Sequence, residues 1–475
     1  MREIKKILIA NRSEIAIRIS RAATELGYKT VSIYSYEDRF ALHRFKTDES
    51  YLVGSGLGPI QAYLDYKGIV QIALNSGCDA IHPGYGFLSE NPELAAICAR
   101  RGIRFIGPKA EVIKRMGDKT AARQAMIEAG VPVTPGSEGN LDDVSHALKE
   151  AERIGYPVML KATSGGGGRG IRRCDDAEGL KTAWDRVVSE ATKAFGSAEV
   201  FLEKCIDEPR HIEVQILADG HGNTIHLFER DCSIQRRNQK LIEIAPSPQL
   251  TGDQRAHICG LAVKAAEAVG YENAGTVEFL VKGEDVYFME MNTRVQVEHT
   301  ITEQITGVDI VQEQIRIASG LPLSWRQDEI SMRGFAIQLR INAEDPQQDF
   351  LPSFGRVTRY YAPGGPGVRV DTAIYTGYSI PPYFDSMCLK LIVWALRWDD
   401  ALDRGLRALA DMRLMGVKTT APYYAQILAN PTFRGGRFDT SFIAKHPELT
   451  RYSEKTRPQE LALAVATAIA VHTGL

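Results

Sequence analysis

Two glutamates on a predicted strand pair are the first candidates for chemistry. Alternating apolar and polar residues predict two strands, and a three-residue hairpin loop at 283–285 would pair Lys282 with Val286. In that register Glu278 lies directly across from Glu290. Facing carboxylates are unfavourable unless a cation lies between them, and oxygen ligands suit Mg²⁺ bound to nucleotide phosphates. The alternative is a pair of solvated surface carboxylates.

A series of polar residues continues beyond this pair. From Glu290 the alternation runs through Asn292, Arg294, Gln296 and Glu298. If the segment stays extended, these side chains share one side, and Asn292 adds an amide oxygen to the metal site. Arg294 can hold a planar anion through two parallel hydrogen bonds, and Glu298 is then placed to remove its proton. A salt-bridged surface is the alternative, but it does not explain why the series begins at the candidate metal site.

A run of glycines follows a predicted strand at 157–161. Glycine permits positive φ and close backbone approach, so the N–H groups of residues 165–170 can surround phosphate oxygens. No Gly-Lys-Ser/Thr follows, which excludes a Walker A loop, and residues 171–173 predict a returning strand rather than the helix of a dinucleotide-binding fold. We therefore expect a hairpin flap over nucleotide phosphates, with a flexible linker as the alternative.

Three further features have competing interpretations. Residues 230–240 are dense in cations and amides, which by itself indicates a solvated charged surface, but the apolar residues on either side favour a loop that returns into the core. Glu203 and Lys204 sit at a strand end, where they fit either the edge of an adenine or a surface ion pair. Cys232 has no spaced Cys or His partner, so a buried inert thiol is favoured over a nucleophile.

The elements that must position these side chains begin with an open parallel α/β sheet. Strand-like runs at 7–10, 30–34, 80–82 and 104–106 alternate with helical patterns. The first strand lacks the glycine fingerprint of a dinucleotide-binding fold, which disfavours NAD. A helical linker at 114–130 leads into α+β segments with antiparallel strands.

The composition is that of a globular chain of two or three domains. Its 475 residues are 44% hydrophobic and 24% charged, and a formal net charge of −2 offers no general attraction for nucleic acid or an anionic membrane. The 7 cysteines are scattered, which indicates neither a disulfide framework nor a zinc site. The N-terminus lacks a signal peptide's apolar core and the stretch 461–471 is too short to span a bilayer, so we expect a cytoplasmic protein.

The last residues predict an alanine-rich helix between Pro458 and Gly474. The favoured interpretation is a helix that packs its apolar stripe on its own domain. The alternative is a docking element for a partner subunit.

Several motifs together resemble those of biotin carboxylase, an ATP-grasp enzyme, over roughly residues 1–450. The matching segments are Ile9-Ala10-Asn11-Arg12, His82 to Glu90, Met116-Gly117-Asp118-Lys119, the glycine run, Glu290 to His299, and Arg340 to Pro346. Carbamoyl-phosphate synthetase and other ATP-grasp ligases share only parts of this set. The resemblance implies an α/β fold, α+β in parts, with ATP-grasp architecture. Its parts would be an N-terminal open parallel sheet domain (1–115), an ATP-grasp domain (116–335) with a mobile lid at about 133–205, a C-terminal mixed domain (336–450) and a helical tail (451–475).

The resemblance also implies roles for individual residues. ATP would be held by Lys119, Lys161, Gly167, Gly168, Glu203, Lys204, His211, Glu278 and Glu290, and Mg²⁺ or Mn²⁺ by Glu278, Glu290 and Asn292. Bicarbonate would be positioned by Lys240, Arg294, Gln296 and Val297, and deprotonated by Glu298. Its oxygen would attack the γ-phosphate to give carboxyphosphate, which breaks down to CO₂ and phosphate. That phosphate would take the proton from biotin's ureido nitrogen, while Arg340 binds biotin and steadies the enolate.

The chain departs from the family pattern at three places. Ser13 stands where glycine is usual, and Asn238 replaces a common histidine. The segment 237–246, with residues 336–338 and the tail, is closer to pyruvate-carboxylase-type chains than to acetyl-CoA-type ones.

No Ala-Met-Lys-Met biotinylation sequence occurs, and the chain is too short to include a carboxyltransferase. The resemblance therefore implies biotin supplied on a separate carrier protein or domain, a carboxyltransferase subunit, and a homodimer. Pyruvate carboxylase is the expected holoenzyme, with acetyl-CoA or 2-oxoglutarate carboxylase as alternatives. A non-catalytic nucleotide-binding assembly subunit is disfavoured by the complete set of catalytic residues.

Overall fold

The computed structural model describes residues 3–163, 170–195, 198–453 and 458–473. The predicted glycine flap, including Gly167 and Gly168, falls mostly on residues 164–169 and therefore lies outside the described residues.

The N-terminal part is a parallel sheet flanked by helices, as the sequence predicts. Its strands are β1 (Lys6–Ile9), β2 (Lys29–Tyr34), β3 (Glu49–Leu52), β4 (Ala80–His82) and β5 (Arg104–Phe105), in the order β3-β2-β1-β4-β5. The helices are α1 (Ser13–Glu25), α2 (Pro59–Leu64), α3 (Tyr66–Asn75) and α4 (Pro92–Arg100). Apolar side chains of β1 are fully buried, which fits a strand covered by helices on both faces.

The carboxyl edge of this sheet brings two of the sequence motifs together. The side-chain amide of Asn11, after β1, donates to the carbonyls of Pro83 (2.7 Å) and Tyr85 (2.8 Å), after β4. The next turn shows why glycine is usual at position 13. Ser13 has φ of 59°, a left-handed conformation that glycine adopts without strain. A side chain there costs roughly 1–2 kcal/mol.

A small antiparallel unit follows. The helical linker is two helices, α5 (Ala110–Gly117) and α6 (Lys119–Glu128), because Asp118 caps the second by accepting from the backbone N–H groups of Thr120 and Ala121. Beyond it lie α7 (Val144–Ile154), β6 (Val158–Ala162), β7 (Ile171–Cys174), α8 (Ala177–Phe195) and β8 (Val200–Lys204), with strand order β7-β6-β8. Strands β6 and β7 pair on either side of the glycine run, as predicted.

A large sheet holds most of the candidate site. Its strands are β9 (Arg210–Ala218), β10 (Thr224–Arg236), β11 (Gln239–Ala245), β12 (Asn273–Lys282), β13 (Asp285–Asn292), β14 (Phe335–Asn342), β19 (Val368–Thr372) and β21 (Met387–Ala395). Their order is β13-β12-β9-β10-β11-β14-β21-β19, with antiparallel neighbours. The sheet thus continues across the predicted domain boundary at 335/336, which remains a prediction, and places β14 beside β11.

The remaining helices and short strands complete the chain. The helices are α9 (Gly252–Ala268), α10 (His299–Thr306), α11 (Ile310–Ala318), α12 (Trp398–Asp411), α13 (Ala421–Ala429), α14 (Pro431–Arg434), α15 (Phe442–Lys445) and α16 (Pro458–Thr473). The short strands are β15 (Glu344–Asp345), β16 (Leu351–Pro352), β17 (Gly355–Arg356), β18 (Arg359–Tyr361), β20 (Ser379–Ile380) and β22 (Arg413–Met415).

The predicted loop at 230–240 is wrong. Strands β10 and β11 form a hairpin whose two turn residues, Arg237 and Asn238, have φ of 50° and 62°. Positive φ at both positions defines the tight turn that matches strand twist, and asparagine tolerates that conformation well. The prediction failed because charged residues of this stretch lie within strands: Arg230, on β10, is 0% exposed, whereas the side chain of Arg237, in the turn, is 71% exposed.

The tail helix does not pack on the rest of the chain as expected. Leu463, Ile469 and Val471 of α16 are 69%, 57% and 77% exposed. The favoured interpretation, in which the helix buries an apolar stripe on its own domain, is therefore wrong for the described side chains. Within the described ranges, no helix has the length and apolar character needed to cross a membrane.

Candidate active site

The two glutamates do face each other, but through a different register. The β12–β13 turn has two residues, so Lys282 pairs with Asp285 and not with Val286. A β-bulge at Met289 then shifts the pairing by one residue and places Glu278 opposite Glu290. The predicted pair is confirmed, and the predicted loop is wrong.

The ammonium of Lys240 is the centre of the site. Its Nζ lies 2.6 Å from Glu213 Oε2, 2.9 Å from Glu278 Oε1 and 2.8 Å from Glu298 Oε1. The three carboxylates come from β9, β12 and the residue before α10, and all are buried. One lysine therefore holds together three acids that would repel one another in a protein interior.

Two guanidinium groups add positive charge beside these carboxylates. Arg230 donates to Glu213 Oε1 at 2.5 Å. Arg340 donates through Nε to Glu243 Oε1 at 2.5 Å and through NH2 to Glu298 Oε2 at 2.9 Å. Both oxygens of Glu298 are thus paired, one with Lys240 and one with Arg340.

This pairing sets the protonation of Glu298. Burial by itself would raise the pKa of its carboxyl, but Lys240, Arg340 and Arg230 outweigh burial and hold the pKa well below 4.5. The carboxylates in turn raise the pKa of Lys240 well above 10.5, although burial opposes this. At neutral pH Glu298 is an ionised acceptor next to charged donors, ready to accept a proton once an anion draws those donors away.

Glu278 joins the cationic centre to the candidate metal site. Its Oε1 also accepts hydrogen bonds from the amides of Asn292 (2.8 Å) and Gln296 (3.1 Å), and its Oε2 lies 2.8 Å from His211 Nε2. Burial would raise the pKa of Glu278, but Lys240 and His211 hold it well below 4.5. Its carboxylate is therefore ionised and ordered before any metal arrives.

Glu290 is the open partner of Glu278. Its side chain is 39% exposed and its Oε2 lies 3.1 Å from Lys119 Nζ. With Asn292 beside it, the pair offers carboxylate and amide oxygens, which are the donors that Mg²⁺ prefers. His211, Glu213 and Glu278 form a further cluster of metal-capable atoms, and both of its carboxylates already contact Lys240.

The polar series from Asn292 to Glu298 converges without being extended. Strand β13 ends at Asn292 and the chain bends, so the predicted continuous strand is wrong. Arg294 reaches back to Asn292 Oδ1 (3.0 Å) and forward to Gln296 Oε1 (2.9 Å), while its Nε donates to Glu90 Oε2 at 3.0 Å. The bend folds the polar side chains around one point instead of spreading them along a line.

Three of the predicted nucleotide-binding residues, Lys161, Glu203 and Lys204, lie on the small antiparallel unit. Lys161 forms an ion pair with Glu203, and Arg123 approaches the same carboxylate at 3.7 Å. The Lys204 ammonium instead donates to the carbonyls of Gly155 and Tyr156, both at 2.8 Å. The surface ion pair between Glu203 and Lys204 is therefore not formed.

Sequence reasoning missed three buried partners, Glu213, Arg230 and Glu243, and the exposed Glu90. Each acts through a contact between segments distant in sequence, such as Glu90 with Arg294. The signal that was available is the presence of charged residues inside apolar strand patterns, since such residues are buried only when paired. Cys232 lies 3.9 Å from Glu298 Oε1, and burial raises the pKa of its thiol well above 9.0, as expected for an inert cysteine.

Three family profiles match almost the whole chain. They are the biotin carboxylase N-terminal domain (residues 3–113), the carbamoyl-phosphate synthase L chain ATP-binding domain (118–326) and the biotin carboxylase C-terminal domain (338–445).

Known relatives match over nearly their full lengths. The small subunit of 2-oxoglutarate carboxylase from Hydrogenobacter thermophilus is 51% identical, over 99% of this chain and 100% of the relative. A pyruvate carboxylase subunit from Methanothermobacter thermautotrophicus is 52% identical, over 93% of this chain and 90% of the relative. The crystal structure of the biotin carboxylase domain dimer of the Hydrogenobacter enzyme, in complex with MgADP, ADP and bicarbonate, is 51% identical. It superposes with a TM-score of 0.93 over 96% of this chain and 100% of that one.

Arg230 offers a test of the charge balance. Replacing it in the variant Arg230→Met removes one cation and leaves Glu213 buried with only Lys240 as a partner. We expect the free energy of unfolding to fall by about 3–5 kcal/mol, as measured by chemical denaturation.

The matched control is Arg326→Met, since Arg326 is 74% exposed and forms only surface ion pairs. It should change stability by less than about 1 kcal/mol. Equal effects of the two variants would contradict the assigned role of Arg230.

Proposed function

Because this chain belongs to the biotin carboxylase family, we propose that it uses ATP and bicarbonate to carboxylate biotin carried by a separate protein. The observation that carries the proposal is the contact of Glu298 with both Lys240 and Arg340, next to the Glu278–Glu290 pair. A base, two anion-binding cations and two metal-binding carboxylates thus meet within one cluster. This is the equipment that phosphoryl transfer to a small oxyanion requires.

The nucleotide end of the site consists of lysines and oxygen ligands. We assign ATP to Lys119, Lys161, Gly167, Gly168, Glu203, Lys204, His211, Glu278 and Glu290. We assign Mg²⁺ or Mn²⁺ to Glu278, Glu290 and Asn292; the ion, when bound, offsets the charge of the phosphates. The Lys119 ammonium contacts Glu290 in the structure. It can move to a phosphate oxygen when the nucleotide and the metal ion bind at Glu278 and Glu290.

The bicarbonate end consists of Lys240, Arg294, Gln296 and the backbone at Val297. Donors here are already ordered by Glu278, Asn292 and Glu298, so an incoming anion displaces internal partners and does not need to organise loose side chains. As the anion draws Lys240 away from Glu298, the pKa of that carboxyl rises and it becomes a better base for the bicarbonate proton.

The reaction then follows from these positions. The deprotonated bicarbonate oxygen attacks the γ-phosphorus, the bond to ADP breaks, and carboxyphosphate forms. It breaks down to CO₂ and phosphate, and the phosphate takes the proton from the ureido nitrogen of biotin. Arg340 then stabilises the biotin enolate while the ureido nitrogen of biotin attacks CO₂. Glu243 keeps the Arg340 guanidinium oriented throughout.

Turnover of the purified chain tests this proposal. ADP release should require both bicarbonate and biotin, and Glu298→Gln should reduce it by about 10²- to 10⁴-fold, the usual contribution of a general base. ATP binding, measured by calorimetry, should remain within about twofold because Glu298 does not face the nucleotide lysines.

The control is Glu178→Gln, since the Glu178 side chain is 81% exposed on α8. It should leave turnover unchanged. ADP release that is indifferent to bicarbonate would remove the proposed reaction, and full activity of Glu298→Gln would remove Glu298 from the base role.

The holoenzyme we propose is a multi-subunit carboxylase with pyruvate as its final acceptor. The identity to the Methanothermobacter pyruvate carboxylase subunit supports this choice. The second candidate is 2-oxoglutarate carboxylase, whose small subunit matches this chain over 473 residues and hence includes most of the tail. In either case the partners are a biotin carrier protein or domain and a carboxyltransferase subunit, and this chain forms a homodimer, like the domain dimer of the Hydrogenobacter structure.

The exposed tail helix is the proposed contact with the carboxyltransferase subunit. Residues 461–471 carry no charged side chain, and a helix without a polar face is normally buried. A chain truncated after Tyr452 should keep biotin-dependent ADP release but fail to co-purify with its native partner.

The intact assembly then identifies the acceptor. Labelled bicarbonate should enter oxaloacetate when pyruvate is supplied, whereas incorporation only with 2-oxoglutarate would select the second candidate. If the truncated chain still co-purifies with its native partner, the tail helix does not dock that partner.

A further inference from the structure

A second buried charge network lies behind the loop that carries Arg294 to Glu298. Its centre is Lys390 on β21, which is fully buried. Its Nζ donates to the carbonyl of Val297 at 3.1 Å, so the contact is with the peptide bond that leads directly into Glu298. Nothing in the proposed reaction requires this lysine to touch a substrate.

Glu14 is the counter-ion of Lys390. Its Oε2 lies 3.1 Å from the Lys390 ammonium, and its Oε1 accepts a hydrogen bond from the Tyr85 hydroxyl. Asp371 is at 4.0 Å, but Arg369 already holds it through two hydrogen bonds of 2.9 and 2.8 Å. Glu14 is therefore the direct partner that neutralises Lys390.

The three contacts join parts of the chain that are far apart in sequence. Glu14 begins α1, Tyr85 follows β4 at the carboxyl edge of the N-terminal sheet, and Lys390 belongs to the large sheet. Burial and the Glu14 carboxylate raise the pKa of the Tyr85 hydroxyl well above 10, while Arg340 acts in the opposite direction.

Stability alone is a poor reason to bury this ion pair. Removing two charges from water costs several kcal/mol, and apolar residues of similar volume often serve as well or better in such positions. What an apolar pair cannot supply is a charged donor to the Val297 carbonyl together with an acceptor for Tyr85.

We propose that Lys390, neutralised by Glu14, is a positioning residue that fixes the Val297–Glu298 peptide for bicarbonate. The inference rests on the proposed function. With the carbonyl held from behind, the Glu298 side chain keeps its place between Lys240 and Arg340, and the backbone at Val297 presents a fixed edge to the anion. Glu14 also accepts from the Tyr85 hydroxyl, so the ion pair is held against the carboxyl edge of the N-terminal sheet.

The test uses Lys390→Met and the double variant Glu14→Gln/Lys390→Met. The single variant leaves the Glu14 charge buried without its main partner, so it should lose both stability and activity. The double variant removes that charge while glutamine still accepts from Tyr85, so it should recover thermal stability. It should nevertheless retain a loss of about 10- to 100-fold in kcat/KM for bicarbonate, since the charged donor to Val297 is still missing.

Two readouts separate positioning from a structural role. KM for ATP should stay within about twofold in the double variant, and Lys29→Met, at a lysine that is 71% exposed, should match the wild type in all parameters. Recovery of bicarbonate kcat/KM together with stability in the double variant would overturn the proposal. So would a loss that falls equally on ATP and bicarbonate.

If the double variant does not fold, Lys390→Arg decides. Arginine keeps the charge but moves the donors, so a raised KM for bicarbonate at unchanged KM for ATP supports positioning, and two unchanged constants overturn it. Bicarbonate-independent ADP release by the wild-type chain would instead refute the proposed function, and that result is separate from any behaviour of Lys390.

Discussion

The burial of four carboxylates around one lysine and one arginine is the constraint on which the rest of the structure depends. Glu213, Glu278 and Glu298 surround the ammonium of Lys240, and Glu243 adds a fourth acid through Arg340. Unpaired, these charges would be far too costly to bury, and the site exists only because cations arrive from several strands. An anionic substrate would compete with these carboxylates for the same cations.

The arrangement of the two sheets brings those cations next to the carboxylates. The large sheet places Glu213 on β9 and Glu278 on β12 against Lys240 on β11, and Arg340 on β14 against Glu243 on β11. The N-terminal sheet contributes from its carboxyl edge, where Glu90 reaches Arg294 and Glu14 reaches Lys390. Ligand sites at the carboxyl edge of a parallel sheet follow from its topology, and here that edge supports a site built mainly on the neighbouring antiparallel sheet.

Much of this could be predicted from the sequence, although some predictions succeeded for an incorrect reason. The pairing of Glu278 with Glu290 is predicted from a turn that is one residue too long. The bulge at Met289 compensates for that difference, and sequence alternation predicts a strand but not a bulge. The convergence of Arg294 and Glu298 was predicted on an extended strand and is achieved by a bend. The contact of Glu213 with Arg230 depends on the register of the β9–β10 pair, which contains an irregularity, and the contact of Lys390 with Glu14 joins segments far apart in the chain. Neither could be predicted from local patterns. The motifs carried the family assignment, but they did not reveal the second layer of charges behind them.

The most direct measurement of the central claim follows oxygen from bicarbonate. Bicarbonate labelled with oxygen-18 is supplied with ATP, Mg²⁺ and biotin, and the released phosphate is analysed by mass spectrometry. If the site brings the bicarbonate oxygen to the γ-phosphorus, labelled oxygen enters the phosphate in step with ADP release. Phosphate in which the oxygen added to the three from ATP comes only from solvent water would show that water is the nucleophile and would contradict the account.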